Sequence, residues 1–174
     1  MMSHLRNRAL CAAGAIALTA LSSAPIVFAV RIGERALVTD IAADDSTVEH
    51  GRYLVKITGC NDCHTPGYTA SAGRVAESQW LVGDRIGWHG PWGTTYPPNL
   101  RLLVRDITAQ QWLEVARRPM RPPMPWFALR DMSDEDLLAI YHFVRSLGPE
   151  GVPAPAHLPP GEPPQTPVVR VPRG

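Results

Sequence analysis

The sequence predicts an all-α fold, a small helical domain interrupted by one long irregular loop. Two observations carry that expectation. Apolar residues recur at helical spacing in three separate stretches, near 48–57, 108–118 and 133–147. Between 65 and 105 the periodicity disappears and glycine, proline and tryptophan take over, with no run that reads as a parallel strand.

The chain opens differently from its middle. Arg6 and Arg8 stand at the start, no acidic residue occurs before 30, and Ala9 to Val30 carries no charge. That is the outline of an export signal over 1–29, with cleavage expected after Ala29 because Val27 and Ala29 suit the two small-residue subsites. The same uncharged run is long enough to span a bilayer, so an uncleaved membrane anchor is the alternative, although Ser, Thr and Pro25 dilute it. Both readings place the domain outside the cytoplasm: in the periplasm, or held to the outer face of the cytoplasmic membrane by the N-terminal segment. Residues 30–47, ending in Asp44-Asp45-Ser46-Thr47, read as a linker.

The first helix is expected from Val48, capped by Ser46 or Thr47, with Val48, Tyr53 or Arg52, Val55 and Ile57 as a partly apolar face and Gly59 as its stop. Gly51 costs that helix about 1 kcal/mol against alanine, which makes sense where another helix packs closely. The loop from Thr65 to Arg105 holds Trp80, Trp88, Trp92 and Tyr96 among its glycines and prolines. A loop so long and aromatic is expected to wrap around something. The second helix spans Thr108–Arg118, opened by the capping pattern Thr108-Ala109-Gln110-Gln111 and ended by Pro119. The third spans Ser133–Leu147, with Ser133 as cap, Asp134, Glu135 and Asp136 in its first turn, and Leu137, Leu138, Tyr141, Val144 and Leu147 at helical spacing. The domain is thus set at 48–148. Residues 149–174, dense in proline, read as an extended, poorly ordered tail.

Charge excludes one class of partner. With 17 basic and 16 acidic residues, a single lysine at Lys56 and no basic run beyond Arg117-Arg118, nothing marks a nucleic-acid-binding face. The cysteines are more informative. Cys11 falls inside the signal, leaving Cys60 and Cys63, and a disulfide between them would close too small a loop to stabilise much.

Cys60-Asn61-Asp62-Cys63-His64 is C-x-x-C-H, the attachment pattern of haem c. Two cysteines three apart can reach the two vinyl groups of a porphyrin, and the adjacent histidine then offers a ring nitrogen to the iron. A zinc site would need a second ligand pair that the sequence lacks. A thioredoxin-like pair would need a preceding strand, where a helix is expected.

The second axial ligand of an electron-carrying haem is usually a methionine sulfur, and Met120, Met124 and Met132 are the candidates. Prolines on both sides of Met124, in Pro122-Pro123-Met124-Pro125, fix its backbone and favour it; Met132, at the mouth of the last helix, reads as a core residue. His89 is the rival sixth ligand, while His50, His142 and His157 are expected to face solvent or bond locally.

At these residues the chain resembles the class I cytochrome c fold and, more narrowly, the cytochrome domains of bacterial multisubunit dehydrogenases that oxidise alcohols, sugar acids or aldehydes. The resemblance covers roughly 48–148. It rests on Gly51-Arg52-Tyr53-Leu54, on Cys60 to Thr65, on Gly93-Thr94-Thr95-Tyr96-Pro97-Pro98-Asn99-Leu100, on Pro123-Met124-Pro125-Trp126 and on Asp136-Leu137-Leu138-Ala139-Ile140-Tyr141. It implies that the first and last helices cross closely with Gly51 facing Tyr141, that Met124 is the sixth ligand, and that the loop with Tyr96 and Asn99 lies along the haem edge. This chain has one haem motif, where dehydrogenase subunits of this type often have three.

The expected function is single-electron transfer by one covalent haem c, its iron held by His64 and Met124, between a donor and an acceptor redox protein, the chain serving either as a free carrier or as the cytochrome subunit of a dehydrogenase and taking a dehydrogenase subunit as one partner. The haem would be kept dry by Trp80, Trp88, Trp92 and Trp126. The alternative is a haem enzyme or gas sensor whose sixth iron position is open.

Overall fold

The computed structural model describes residues 44–172. The expected signal over 1–29 and most of the expected linker lie outside them. The described chain is mostly helical, but it also carries a small sheet that the all-α expectation missed.

Helix α1 spans Asp45–Ile57 and starts three residues earlier than expected, because Asp44 caps it in place of Ser46 or Thr47. The Asp44 carboxylate accepts the Thr47 amide at 2.8 Å and the Ser46 hydroxyl at 3.0 Å. Its buried stripe is Gly51, Leu54 and Val55, with Val48 packed beside it, whereas Tyr53 and Ile57 stand exposed. Gly59, in the left-handed region at φ 76°, turns the chain into the short helix α2, Cys60–His64.

Parts of the expected loop form regular elements. A 3₁₀ turn at Glu77–Gln79 precedes strands β1, Gly87–Gly90, and β2, Gly93–Thr95, which pair antiparallel around the Pro91-Trp92 turn. Helix α3, Leu100–Asp106, follows, capped by the Asn99 side chain accepting from the Leu102 amide at 3.0 Å. Helix α4, Ala109–Ala116, opens with both bonds of the expected Thr108–Gln111 capping box. Helix α5, Trp126–Asp131, was not expected; at six residues, entered from Pro125, it has too short a period to read. Helix α6, Asp134–Ser146, begins at the expected Ser133 cap and ends with Leu147 at its C-cap.

The core forms where α1 crosses α6. Val55, Leu137, Tyr141, Phe143 and Val144 are fully buried there or beside it, each large side chain contributing about 1.5–3 kcal/mol. A methyl group on Gly51 would overlap the Ala139 carbonyl and lie 2.8 Å from Phe143 Cβ. The glycine that weakens α1 is therefore what lets the helices touch. Its neighbours are Ala139 and Phe143 and not Tyr141, whose hydroxyl donates to the Ile107 carbonyl at 3.0 Å. Trp80 belongs to the same core, edge-on to Tyr68 and Phe143, with its ring N–H on the Val75 carbonyl at 2.9 Å.

The proline-rich segment after α6 is extended, as expected, but it is not loose. Strand β3, Val168–Arg170, lies parallel to β1 and gives the sheet order β2-β1-β3. Leu158 and Thr94 exchange two backbone hydrogen bonds, at 2.8 and 3.0 Å, the Gly87 amide donates to the Pro167 carbonyl, and the Val171 amide donates to the His89 carbonyl. Proline lacks only the donor, so a segment that places Leu158 and Val171 where N–H groups are required can still pair along an edge.

Candidate functional site

Helix α2 presents Cys60 and Cys63 one turn apart, hence on one side of the helix. Its entry is fixed by Thr58, whose amide and hydroxyl both donate to the Leu54 carbonyl, at 2.9 and 2.8 Å. Both cysteines are half-buried free thiols, and the Cys60 sulfur lies 3.3 Å from the Thr58 hydroxyl. Burial pushes both thiols up from their ordinary pKa. A redox-active dithiol requires the opposite, a stabilised thiolate. Between them Asn61 is fully buried; its side-chain oxygen accepts from the Thr65 hydroxyl at 2.7 Å, and that hydroxyl in turn accepts the Leu81 amide at 2.8 Å.

His64 is 6% exposed, and its Nδ1 lies 2.8 Å from the Pro98 carbonyl oxygen. A carbonyl can only accept, so Nδ1 carries the proton and Nε2 the lone pair. Burial holds the ring below its ordinary pKa, against the opposing pull of the Pro98 bond, which keeps it neutral. A neutral imidazole oriented through one nitrogen, with the other free to donate electrons, is the form that ligates a metal.

Pro98 is held in place from both sides. The Asp84 amide donates to the Pro97 carbonyl at 3.2 Å, and the Leu100 amide to the Leu81 carbonyl at 3.0 Å. The His64 backbone carbonyl accepts from Gly83 at 2.9 Å. Gly83 sits at φ 77°, and a Cβ there would fall 2.7 Å from the Asn99 nitrogen, so only glycine lets these segments meet. On the far side, Arg101, 5% exposed, donates to the carbonyls of Ser78, Leu147 and Gly148, tying α3 to the end of α6 and to the 3₁₀ turn. None of these supports was expected. The only trace of the last was a lone arginine within the apolar run Leu100–Val104.

Met124 lies in the connection between α4 and α5, half-buried against the same core that Cys60 touches. Arg117, where this connection leaves α4, ties α4 to the far end of α5 and to the start of α6. From the C-cap of α4 it donates to the carbonyls of Leu129, Arg130 and Met132 and to the Asp134 carboxylate at 2.5 Å. Met120 and Met132 are half-buried against that core too, so burial alone does not separate the three. His89 shares a 2.8 Å hydrogen bond with the Thr94 hydroxyl on the sheet. His50 faces solvent, as expected, and also donates to Asp136 at 2.8 Å, 86 residues away, whereas His157 is bonded but not locally, donating to the Thr94 carbonyl at 2.9 Å, 63 residues away. The His142 ring lies edge-on to Tyr141, 5.3 Å between centroids.

One face of the hairpin carries unmet donors. Trp88 pairs with Thr95 and Gly90 with Gly93, so these four share a face, and the Trp92 ring folds over Gly90 on that side. The Trp92 ring nitrogen and the Thr95 hydroxyl are both buried there without a hydrogen-bond partner among the described residues. Buried donors of this kind call for an acceptor.

Two surface depressions, of about 500 and about 310 Å³, flank Pro66, Val82 and Gly151; Cys60, Cys63, His64 and Met124 line neither. Among the described residues no group of three or more His, Cys, Asp or Glu is arranged to hold a metal ion, and no helix is long and apolar enough to cross a membrane. Compared with known proteins, the chain matches no family model, no curated protein and no solved structure.

Proposed function

We propose that this chain is an exported mono-haem c-type cytochrome that carries single electrons between redox partners, with haem c joined to Cys60 and Cys63 and its iron held by His64 and Met124. The observation that carries the reading is His64. It is buried, neutral and locked by Pro98 with its Nε2 lone pair free, on the same short helix as two unpaired thiols.

The donor set fits the group. Adding an S–H across a vinyl double bond makes a thioether with no net oxidation, which requires reduced, unpaired cysteines, as these are. The Trp92 and Thr95 donors suit a carboxylate such as a haem propionate. Once bound, the haem supplies a one-electron iron couple. The protein's part is to hold that couple still: Pro98 orients His64, Arg117 ties α4 to the far end of α5 across the stretch bearing Met124, and the α1/α6 core resists rearrangement. A dehydrogenase subunit as partner rests on the resemblance of residues 48–148 to such cytochrome domains. Export rests on the charge pattern of residues 1–29.

Two measurements test the reading. The mature protein should keep its haem through denaturation and acid extraction; release of free haem would sink covalent attachment. The ferric protein should show the far-red absorption band of a methionine–iron bond. Met124→Ala should abolish the band, lower the reduction potential and admit carbon monoxide, while Met120→Ala and Met132→Ala retain it. An unmodified protein that lacks the band and binds carbon monoxide when reduced is an enzyme or sensor with an open position.

A further inference from the structure

One side chain, Asn99, ties the proline-rich tail to the segment that holds His64. Asn99 follows Pro98, whose carbonyl holds the His64 ring. The two ends of its amide do different work. Oδ1 accepts the Leu102 amide and caps α3, while Nδ2 donates to the tail at the Glu150 carbonyl, 2.7 Å, and more weakly at the Val152 carbonyl, 3.4 Å. Between those carbonyls lies Gly151 at φ 75°, where an added Cβ would sit 3.2 Å from Asn99 Nδ2 and 3.4 Å from Val82 Cβ. Tail, Asn99 and the segment carrying Pro98 are thus one packed unit, and Asn99 itself is 4% exposed.

We propose that Asn99 is a positioning residue for His64, through which the C-terminal tail sets the strength of the hydrogen bond on His64 Nδ1. The proposal rests on the haem reading above. A Pro98 carbonyl held firmly on Nδ1–H makes the imidazole a stronger electron donor and favours ferric iron; a loosened carbonyl favours ferrous iron. The tail is then part of what sets the reduction potential, although it contributes no ligand.

The test uses the full-length holoprotein. Asn99→Ser keeps a cap oxygen for α3, introduces no charge and removes the donor to the tail. Gly151→Val leaves Asn99 intact and strains the tail turn from the other side. In each, the midpoint potential should rise, and the His64 ring N–H, followed by proton NMR, should exchange with solvent about tenfold faster, the scale of one weakened hydrogen bond. The double variant should shift no further than the larger single one, because both cut the same tie. If haem is attached and both variants lose stability while potential and ring exchange stay put, the tail is only packing and the proposal is overturned. If the unmodified protein carries no covalent haem, the haem reading fails first and takes this inference with it.

Discussion

Around Gly51, α1 and α6 meet through side chains: Val55, Leu137, Ile140, Phe143 and Val144 are almost wholly out of water, and the glycine lets the two backbones approach. Around Gly93, the tail meets the hairpin through main chain. Leu158 pairs with Thr94, β3 with β1, and the Thr166 hydroxyl donates to Tyr96 at 3.0 Å, while Val169 is 42% exposed. The first contact is non-directional, dense and driven by apolar burial. The second is directional, and each bond adds only about 1 kcal/mol net. A change at the crossing should therefore unfold the whole molecule, whereas a change at the strap should open it locally.

Gly51→Val is the severest test of the crossing. Its side chain cannot fit between Ala139 and Phe143 without separating the helices. We expect a loss of about 3 kcal/mol or more, and a thermal midpoint lower by about 10 °C or more. A near-wild-type melting curve would mean the helices can slide apart without consequence, which the packing forbids.

Arg101 lies where the two regions join. Arg101→Met keeps the bulk but leaves the carbonyls of Ser78, Leu147 and Gly148 without their donor. About 2 kcal/mol should be lost in urea unfolding, with amides of α3 and the end of α6 exchanging faster.

Gly93→Ala isolates the strap. Gly93 sits at φ 95°, and an added methyl would overlap the Leu158 carbonyl and stand 2.7 Å from the Pro159 carbonyl carbon. We expect about 1–2 kcal/mol, confined to the strap. Hydrogen exchange should rise at Leu158 and Val171 and stay unchanged in α1 and α6. Equal acceleration in both places would dissolve the contrast between the two regions.

The smallest effect is electrostatic. His50 donates to Asp136 across the helix crossing, and with help from Ser133 it holds the carboxyl below its ordinary pKa. The unfolded chain therefore takes up this proton at higher pH than the folded one does. The added stability is complete above about pH 4 and is lost as pH falls through the lowered pKa. Both side chains are partly exposed, so solvent screening limits the contribution to under about 1 kcal/mol. His50→Gln should lower the neutral plateau of the stability–pH curve by that much, leave the stability in strong acid nearly unchanged, and so flatten the acid limb.

What could be read in advance follows the same division. Helices α4 and α6 announced themselves because their caps, Thr108 with Gln111 and Ser133, and their apolar period are local properties of sequence. Gly51 predicted a close helix neighbour, and Cys60, Cys63 and His64 stood out because their spacing is itself the geometry. Helices α3 and α5, seven and six residues long, are too short for a period to show. The start of α1 was misplaced because Asp44, Ser46 and Thr47 are all competent caps, and residue type alone does not choose among them.

The sequence by itself therefore determined the three longer helical segments and the clustering of two thiols and an imidazole on one turn. The tertiary structure alone decided which carbonyl holds His64, that Asn99 joins Pro98 to the tail, and that a segment with so many prolines closes a sheet. Each of those ties ends on a backbone carbonyl or amide, a group that nearly every residue carries, so residue type leaves no mark of which one will be met.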